Sequence, residues 1–148
     1  MRILLTGHDG YIGAVMAPRL LAEGFEVVGL DTGLFDGCDF GSYAPAYPRL
    51  RRDLRGIEAR DLDGFDAVVH LAAISNDPLG DLNPQCTYDI NHGASVRLAE
   101  AARSAGVGRY VYSSSCSVYG AADPNDILDE TASFNPLTPY GRSKVMVE

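Results

Sequence analysis

Lys144 is the only lysine in the chain, and Tyr140 stands four residues before it. Four residues is about one helical turn, so the two side chains share a face. A free phenol, with a pKa near 10, is a poor base at neutral pH. A cation about 4 Å away is worth roughly 4 kcal/mol at an effective dielectric of 20, or about three pKa units. That brings a phenol into the range where acid–base catalysis is efficient. Taken alone, the pair is as readable as a surface contact one turn apart. Ser113, Ser114 and Ser115 directly follow a short apolar strand, Tyr110-Val111-Tyr112. Hydroxyls at a strand end of a doubly wound sheet can hydrogen-bond a substrate carbonyl or alcohol; the alternative is a polar turn.

A second group of residues suits phosphate. Thr6-Gly7-His8-Asp9-Gly10-Tyr11-Ile12-Gly13 follows a strand and opens a helix. Gly7 allows the tight turn, Gly10 lets backbone approach a pyrophosphate, and Gly13 lets the helix pack closely on the sheet. Tyr11 and Ile12 lie in the turn's exit, where helix N–H groups and the positive dipole end hold phosphates. Asp31 closes the next strand, placed for the hydroxyls of an adenosine ribose and against a 2′-phosphate. No Arg or Lys occurs over 32–38, so NAD is favoured over NADP. The bland alternative is a glycine turn with a loop aspartate.

These residues need a frame, and the chain alternates strand and helix patterns. Strands are expected at 3–5, 25–30, 49–52, 67–71 and 110–112. Helices are expected over about 11–23, 57–62 and 84–105, with another starting at Pro139, capped by Thr138. The inner face of the first helix reads as Ile12, Val15, Met16, Leu20 and Leu21, with Pro18 kinking it or marking its boundary. Residues 32–48 and 116–138 read as loops. Such alternation implies βαβ units and a buried parallel sheet. The fold class is therefore α/β, a Rossmann-type doubly wound parallel sheet. One domain spans 1–148 and stops after about five strands, in mid-helix, as the portion of something longer.

Composition narrows the class further. Twelve Lys and Arg against twenty Asp and Glu leave a net charge of −8, unsuited to nucleic acid. No apolar run approaches a membrane span. Cys38, Cys86 and Cys116 form no CxxC pair, which fits free thiols in the cytoplasm. The three histidines, His8, His70 and His92, are too scattered to suggest a metal site.

Together these segments resemble the extended short-chain dehydrogenase/reductases, the nucleotide-sugar epimerase/dehydratase family. The resemblance rests on residues 6–13, Asp31, Asp53-Leu54, His70-Leu71-Ala72-Ala73, Asn91, Ser113 to Ser115 with Val118-Tyr119-Gly120, and Tyr140 with Lys144. It implies that Asp53 and Leu54 flank the adenine, that Leu71, Ala72 and Ala73 line the cofactor's path, and that Ser113 lies beside the cofactor. Asn91 resembles a helix asparagine that supports the active site; its alternative is a core hydrogen bond. By the same resemblance Ser115 is the catalytic Ser/Thr and Tyr140 the acid–base. Lys144 holds the nicotinamide ribose and lowers the tyrosine's pKa. The implied reaction is hydride transfer between a sugar carbon and NAD through a keto-sugar.

Departures narrow this. The sugar 4,6-dehydratases carry an Asp/Glu pair after the catalytic residue, and UDP-xylose-forming decarboxylases keep the glutamate. Here those places hold Cys116 and Ser117, which disfavours both. Cys116 reads as a small pocket-lining residue, with a redox-sensitive thiol as the alternative. Ile74-Ser75 stands where UDP-galactose 4-epimerases often have a lysine. Epimerase or ketoreductase remains, acting on a nucleotide-sugar. The competing class is a non-catalytic dinucleotide-binding or redox-sensing module, whose members usually lose the Tyr/Lys pair. Homodimers of the family pair the 84–105 helix with the one from Pro139, so self-association is expected.

Overall fold

The computed structural model describes residues 1–35, 38, 47–121 and 127–148. Two compact units emerge, residues 1–72 with 97–113, and residues 73–96 with 114–148.

The first unit holds the sheet. Strands β1 (Arg2–Thr6), β2 (Glu26–Asp31), β3 (Arg49–Arg51), β4 (Ala67–His70) and β5 (Arg109–Tyr112) are all parallel, in the order β3-β2-β1-β4-β5. This is a Rossmann-type order, with β1 at the centre and the chain reversing direction of travel after β3. The central strands lack alternation because both faces are covered: Ile3, Leu4, Leu5, Val27, Val28 and Leu30 are all buried.

Helix α1 (Tyr11–Ala22) differs from its expected inner face. Ile12 and Val15 are more than half exposed, and the buried positions are Gly13 and Ala17. Met16, Leu20 and Leu21 do pack on the core around Leu5, Ala17 and Val27. Small residues four apart bring the helix axis close to its neighbours, which rotates the bulkier Ile12 and Val15 outward. The helix runs on through Pro18, which costs it only the bond to the Ala14 carbonyl. The expected helix at 57–62 is instead two 3₁₀ turns, Leu54–Gly56 and Ala59–Leu62.

The second unit is helical: α2 (Asp77–Leu82), where no helix is expected, α3 (Pro84–Tyr88), a 3₁₀ turn Cys116–Tyr119 and α5 (Pro139–Val147). The helix expected over 84–105 is helical throughout but not uniform. Between α3 and α4 (Ser95–Ser104) lies a widened π-type turn, Asp89–Ala94. Thr138 caps α5, its Oγ1 accepting from the Gly141 N–H at 3.1 Å. Of the two long loops, 36, 37 and 39–46 in the first and 122–126 in the second lie outside the described residues.

Candidate functional site

In the first unit the glycine turn is built by its own backbone. Gly7 adopts φ +72°, a left-handed conformation that favours glycine. Its N–H donates to the Leu30 carbonyl at 2.8 Å, and the Gly10 N–H donates back to Gly7 at 3.1 Å. A Cβ on Gly7 would lie 2.7 Å from the Ala72 nitrogen, so the turn and the end of β4 touch through backbone. Thr6 Oγ1 joins them, accepting from the Ala72 N–H at 3.2 Å and meeting His70 Nδ1 at 2.7 Å. Gly13 approaches the turn rather than the sheet: its Cβ would lie 2.2 Å from the Gly7 oxygen. A Cβ on Gly10 would meet only that oxygen, at 3.2 Å. No side chain caps the α1 N-terminus. Backbone donors at the head of a helix, with no side-chain cap bonded to them, fit an anionic pyrophosphate.

Asp31 ends β2. Its Oδ1 accepts from the Gly33 N–H at 2.9 Å and its Oδ2 from the Asp9 N–H at 3.3 Å. Beside it opens a cavity of about 210 Å³ lined by His8, Asp9, Asp31, Gly33, Arg49, Leu50 and Arg51. His8 is buried, with Nδ1 3.1 Å from Tyr47 Oη and 3.2 Å from Asp9 Oδ1. Its ring fills the space a side chain on Gly29 would need. Asp9 also pairs with Arg49. Sequence reasoning assigns no role to His8, Asp9, Arg49 or Arg51. The signal that could have found the arginines is their spacing of two on the strand beside Asp31.

The other residues expected near the cofactor in this unit are locally engaged. Asp53 caps the Leu54–Gly56 turn and pairs with Arg55 at 2.7 Å. That arginine's hydrogen bond holds the Asp53 carboxyl below its usual range. Leu54 is buried, and Leu71 packs on the core around Leu5. The Ser113 N–H donates to the His70 carbonyl at 3.1 Å, continuing β5 past its end.

In the second unit the structure brings Ser115, Tyr140 and Lys144 onto packed elements. Ser115 heads the Cys116–Tyr119 turn, its Oγ accepting from the Ser117 N–H at 3.2 Å. That turn lies hard against α5, since a Cβ on Gly141 would sit 2.8 Å from the Ser117 oxygen. On α5 the Lys144 ammonium lies 5.5 Å from the centre of the Tyr140 ring. Lys144 is only 3% exposed, and burial pulls its pKa down to about 8, opposed by the Glu148 carboxylate. The cation and phenol therefore share a half-buried helix face.

Asn91 sits in the widened turn, 1% exposed. Its Nδ2 donates to the Ile74 carbonyl at 2.9 Å, and its Oδ1 accepts from the Ile74 N–H at 2.8 Å. The side chain thus replaces a strand partner for the segment leaving β4, beside Ala73. Ser95 Oγ donates to the Asn91 carbonyl at 2.6 Å within the widened turn. π-Turns of this kind concentrate at functional positions. Asn91→Leu leaves both Ile74 groups unpaired and is expected to cost about 2–4 kcal/mol, measured by urea denaturation.

A family model described as the NAD dependent epimerase/dehydratase family matches residues 3–148. The chain belongs to that family. Among relatives, a UDP-glucose 4-epimerase of Streptomyces lividans is 36% identical over 150 residues, covering 99% of this chain and 45% of that protein. A UDP-glucose 4-epimerase of Thermus thermophilus, solved with NAD, superposes with a TM-score of 0.85 at 30% identity, covering 99% of this chain and 48% of that one. An NAD-dependent NDP-hexosamine 5,6-dehydratase of tunicamycin biosynthesis gives a TM-score of 0.87 at 33% identity, covering 99% and 48%. The chain thus spans about half the length of the family members it matches. These relatives carry out different reactions, so family membership leaves the net reaction open.

Among the described residues no three His, Cys, Asp or Glu side chains converge as a metal site, and no helix is long and apolar enough to cross a membrane.

Proposed function

We propose that the protein is the NAD-binding portion of a nucleotide-sugar epimerase or ketoreductase. On this reading residues 1–148 bind the cofactor, and the nucleotide-sugar region lies outside them. The observation that carries the reading is the buried Lys144 ammonium beside the Tyr140 ring, on the helix packed against the turn headed by Ser115. A buried ammonium costs stability, and its position one turn from a phenol gives that cost a chemical use.

NAD, when bound, supplies the hydride acceptor for a sugar carbon. The glycine turn at Gly7, Gly10, Tyr11, Ile12 and Gly13 would hold its pyrophosphate, and Asp31 its adenosine ribose. Asp53 and Leu54 would border the adenine; Leu71, Ala72, Ala73 and Ser113 would line its path. Tyr140 would take the proton from the sugar hydroxyl as the carbon is oxidised and return it on reduction. Lys144 would favour the phenolate and bind the nicotinamide ribose. Ser115 would hydrogen-bond the reacting oxygen. A transient keto-sugar reduced on its other face gives epimerisation; a net reduction alone gives a ketoreductase. The acidic surface and three thiols support a cytoplasmic location, and self-association through the 84–105 helix and α5 belongs to the same reading.

The test is a nicotinamide-fluorescence titration of the chain with NADH, together with addition of UDP-sugars to an NAD-loaded full-length relative carrying the same site. Saturable NADH binding is expected. Tyr140→Phe should leave that binding within about threefold while lowering turnover of a full-length relative carrying the same site by about 10²–10⁴-fold. NADH binding by the chain, with no NADH absorbance appearing when sugar nucleotide is added to the NAD-loaded full-length relative, favours a non-catalytic dinucleotide-binding module. A folded chain that binds no NADH overturns the reading.

A further inference from the structure

Ser117 holds the Ser115 hydroxyl at two points. The Ser117 N–H donates to Ser115 Oγ at 3.2 Å, and Ser115 Oγ donates to Ser117 Oγ at 3.1 Å. Both serines are half-buried. Ser117 is in turn fixed by its backbone. Its carbonyl accepts from the Gly120 N–H at 3.3 Å and lies against Gly141, the residue after Tyr140. Val118, which follows, is buried, and its carbonyl accepts from the Asn135 N–H at 2.9 Å. The cap of the Cys116–Tyr119 turn needs only the Ser117 N–H. The Ser117 hydroxyl is surplus to it.

A serine hydroxyl has one proton and two lone pairs. Here one lone pair of Ser115 Oγ takes the Ser117 N–H, and its proton goes to Ser117 Oγ. So arranged, Ser115 has no proton to give to another oxygen. Rotation about the two Cβ–Oγ bonds reverses the pair. Ser115 turns its proton outward, and the Ser117 hydroxyl donates into the second lone pair of Ser115 Oγ. Each hydroxyl keeps its own proton, and no covalent bond breaks. Ser115 Oγ then accepts twice and donates once, and a donor that also accepts is polarised into a stronger one.

We propose that Ser117 is a positioning residue for Ser115, changing from acceptor to donor so that the Ser115 proton is released to the oxygen on the reacting sugar carbon. The inference rests on the reading above, in which Ser115 hydrogen-bonds that oxygen.

The experiment measures turnover of UDP-glucose by a full-length UDP-glucose 4-epimerase relative that carries serines at the places of Ser115 and Ser117, with the Tyr140 and Lys144 pair. Ser117→Ala keeps the capping N–H and removes only the hydroxyl. It should lower kcat by about 3–10-fold, the worth of one net hydrogen bond, with KM within about twofold. Ser117→Thr restores the hydroxyl and should bring kcat back to within about twofold. Ser117→Cys, similar in size but a weak hydrogen-bonding partner, should behave as Ser117→Ala. Because Ser117 acts through Ser115, Ser115→Ala combined with Ser117→Ala should cost no more than Ser115→Ala alone. Circular dichroism checks that each variant is folded. Losses that multiply in the double variant, or a raised KM with kcat unchanged, overturn the proposal. So does full turnover in Ser117→Ala while Ser115→Ala and Tyr140→Phe lose it, an outcome that leaves the earlier reading standing. Full turnover in Tyr140→Phe overturns that reading and this one together.

Discussion

Lys144→Met is expected to make the folded chain more stable at neutral pH. Lys144 is 3% exposed, and its pKa falls from 10.5 to about 8, chiefly through burial, with Glu148 opposing the shift. The folded state then holds fewer protons than the unfolded state between those values. Below about pH 8 both states carry the charge, so the cost of burying it is fully present. As pH rises from 8 to 10.5 the folded-state lysine deprotonates first and stability climbs. A drop from 10.5 to about 8 corresponds to roughly 3 kcal/mol. Methionine keeps the length and flexibility of the stem without the charge. Urea denaturation at about pH 7 should show Lys144→Met more stable by about 1–3 kcal/mol, the difference shrinking toward about pH 10.5. A variant less stable than the unaltered chain at neutral pH would show that the contacts of the ammonium outweigh its burial. Sites kept for chemistry often carry such a cost; the proposed role of Lys144 beside Tyr140 accounts for this one.

Gly13→Ala is expected to be among the most damaging single-methyl changes in the first unit. The added Cβ would lie 2.2 Å from the Gly7 oxygen, 2.6 Å from His8 Cα and 2.8 Å from His8 C. All three are backbone atoms of a turn already fixed by the Gly7–Leu30 and Gly10–Gly7 bonds, so none can rotate aside. Either α1 lifts from the turn or the turn opens. We expect a loss of about 3 kcal/mol or more, a large part of the roughly 5–15 kcal/mol that holds a domain folded. Gly10→Ala is the matched comparison, because its Cβ meets only the Gly7 oxygen, at 3.2 Å. It should cost about 1 kcal/mol or less in stability. Its larger effect should fall on NADH affinity, since the methyl would stand where, on the proposed reading, backbone holds the pyrophosphate. Urea melts and NADH titrations on the two variants separate these effects. A Gly13→Ala chain as stable as Gly10→Ala would remove the packing argument.

The glycine turn, the α5 cap and the Tyr140–Lys144 spacing were all legible because each signal acts within a few residues. Thr138 and Pro139 announce a helix start by satisfying or lacking one backbone donor, and α5 begins there. The apolar runs at 3–5, 25–30 and 67–71 announce buried parallel strands by lacking alternation, and they form the centre of the sheet. Local patterns served less well where a side chain acts at a distance. The 84–105 helix reads as uniform, yet Asn91 sits in a widened turn and bonds Ile74, seventeen residues earlier. Ile12 and Val15 read as core by periodicity, yet small residues at 13 and 17 decide which face of α1 packs.

Sequence by itself thus determined the fold class, the glycine turn between β1 and α1, and a phenol and ammonium one turn apart. Tertiary structure alone decided that Lys144 is buried and that the Ser115 turn seats against Gly141. It alone brought Arg49 and Arg51 beside Asp31, about twenty residues earlier in the chain. Capping, turn geometry and hydrophobic period are settled by neighbours along the chain. Which strands adjoin, and which charges therefore face one cavity, is settled by the packing of the whole sheet, because parallel partners meet only after a crossover.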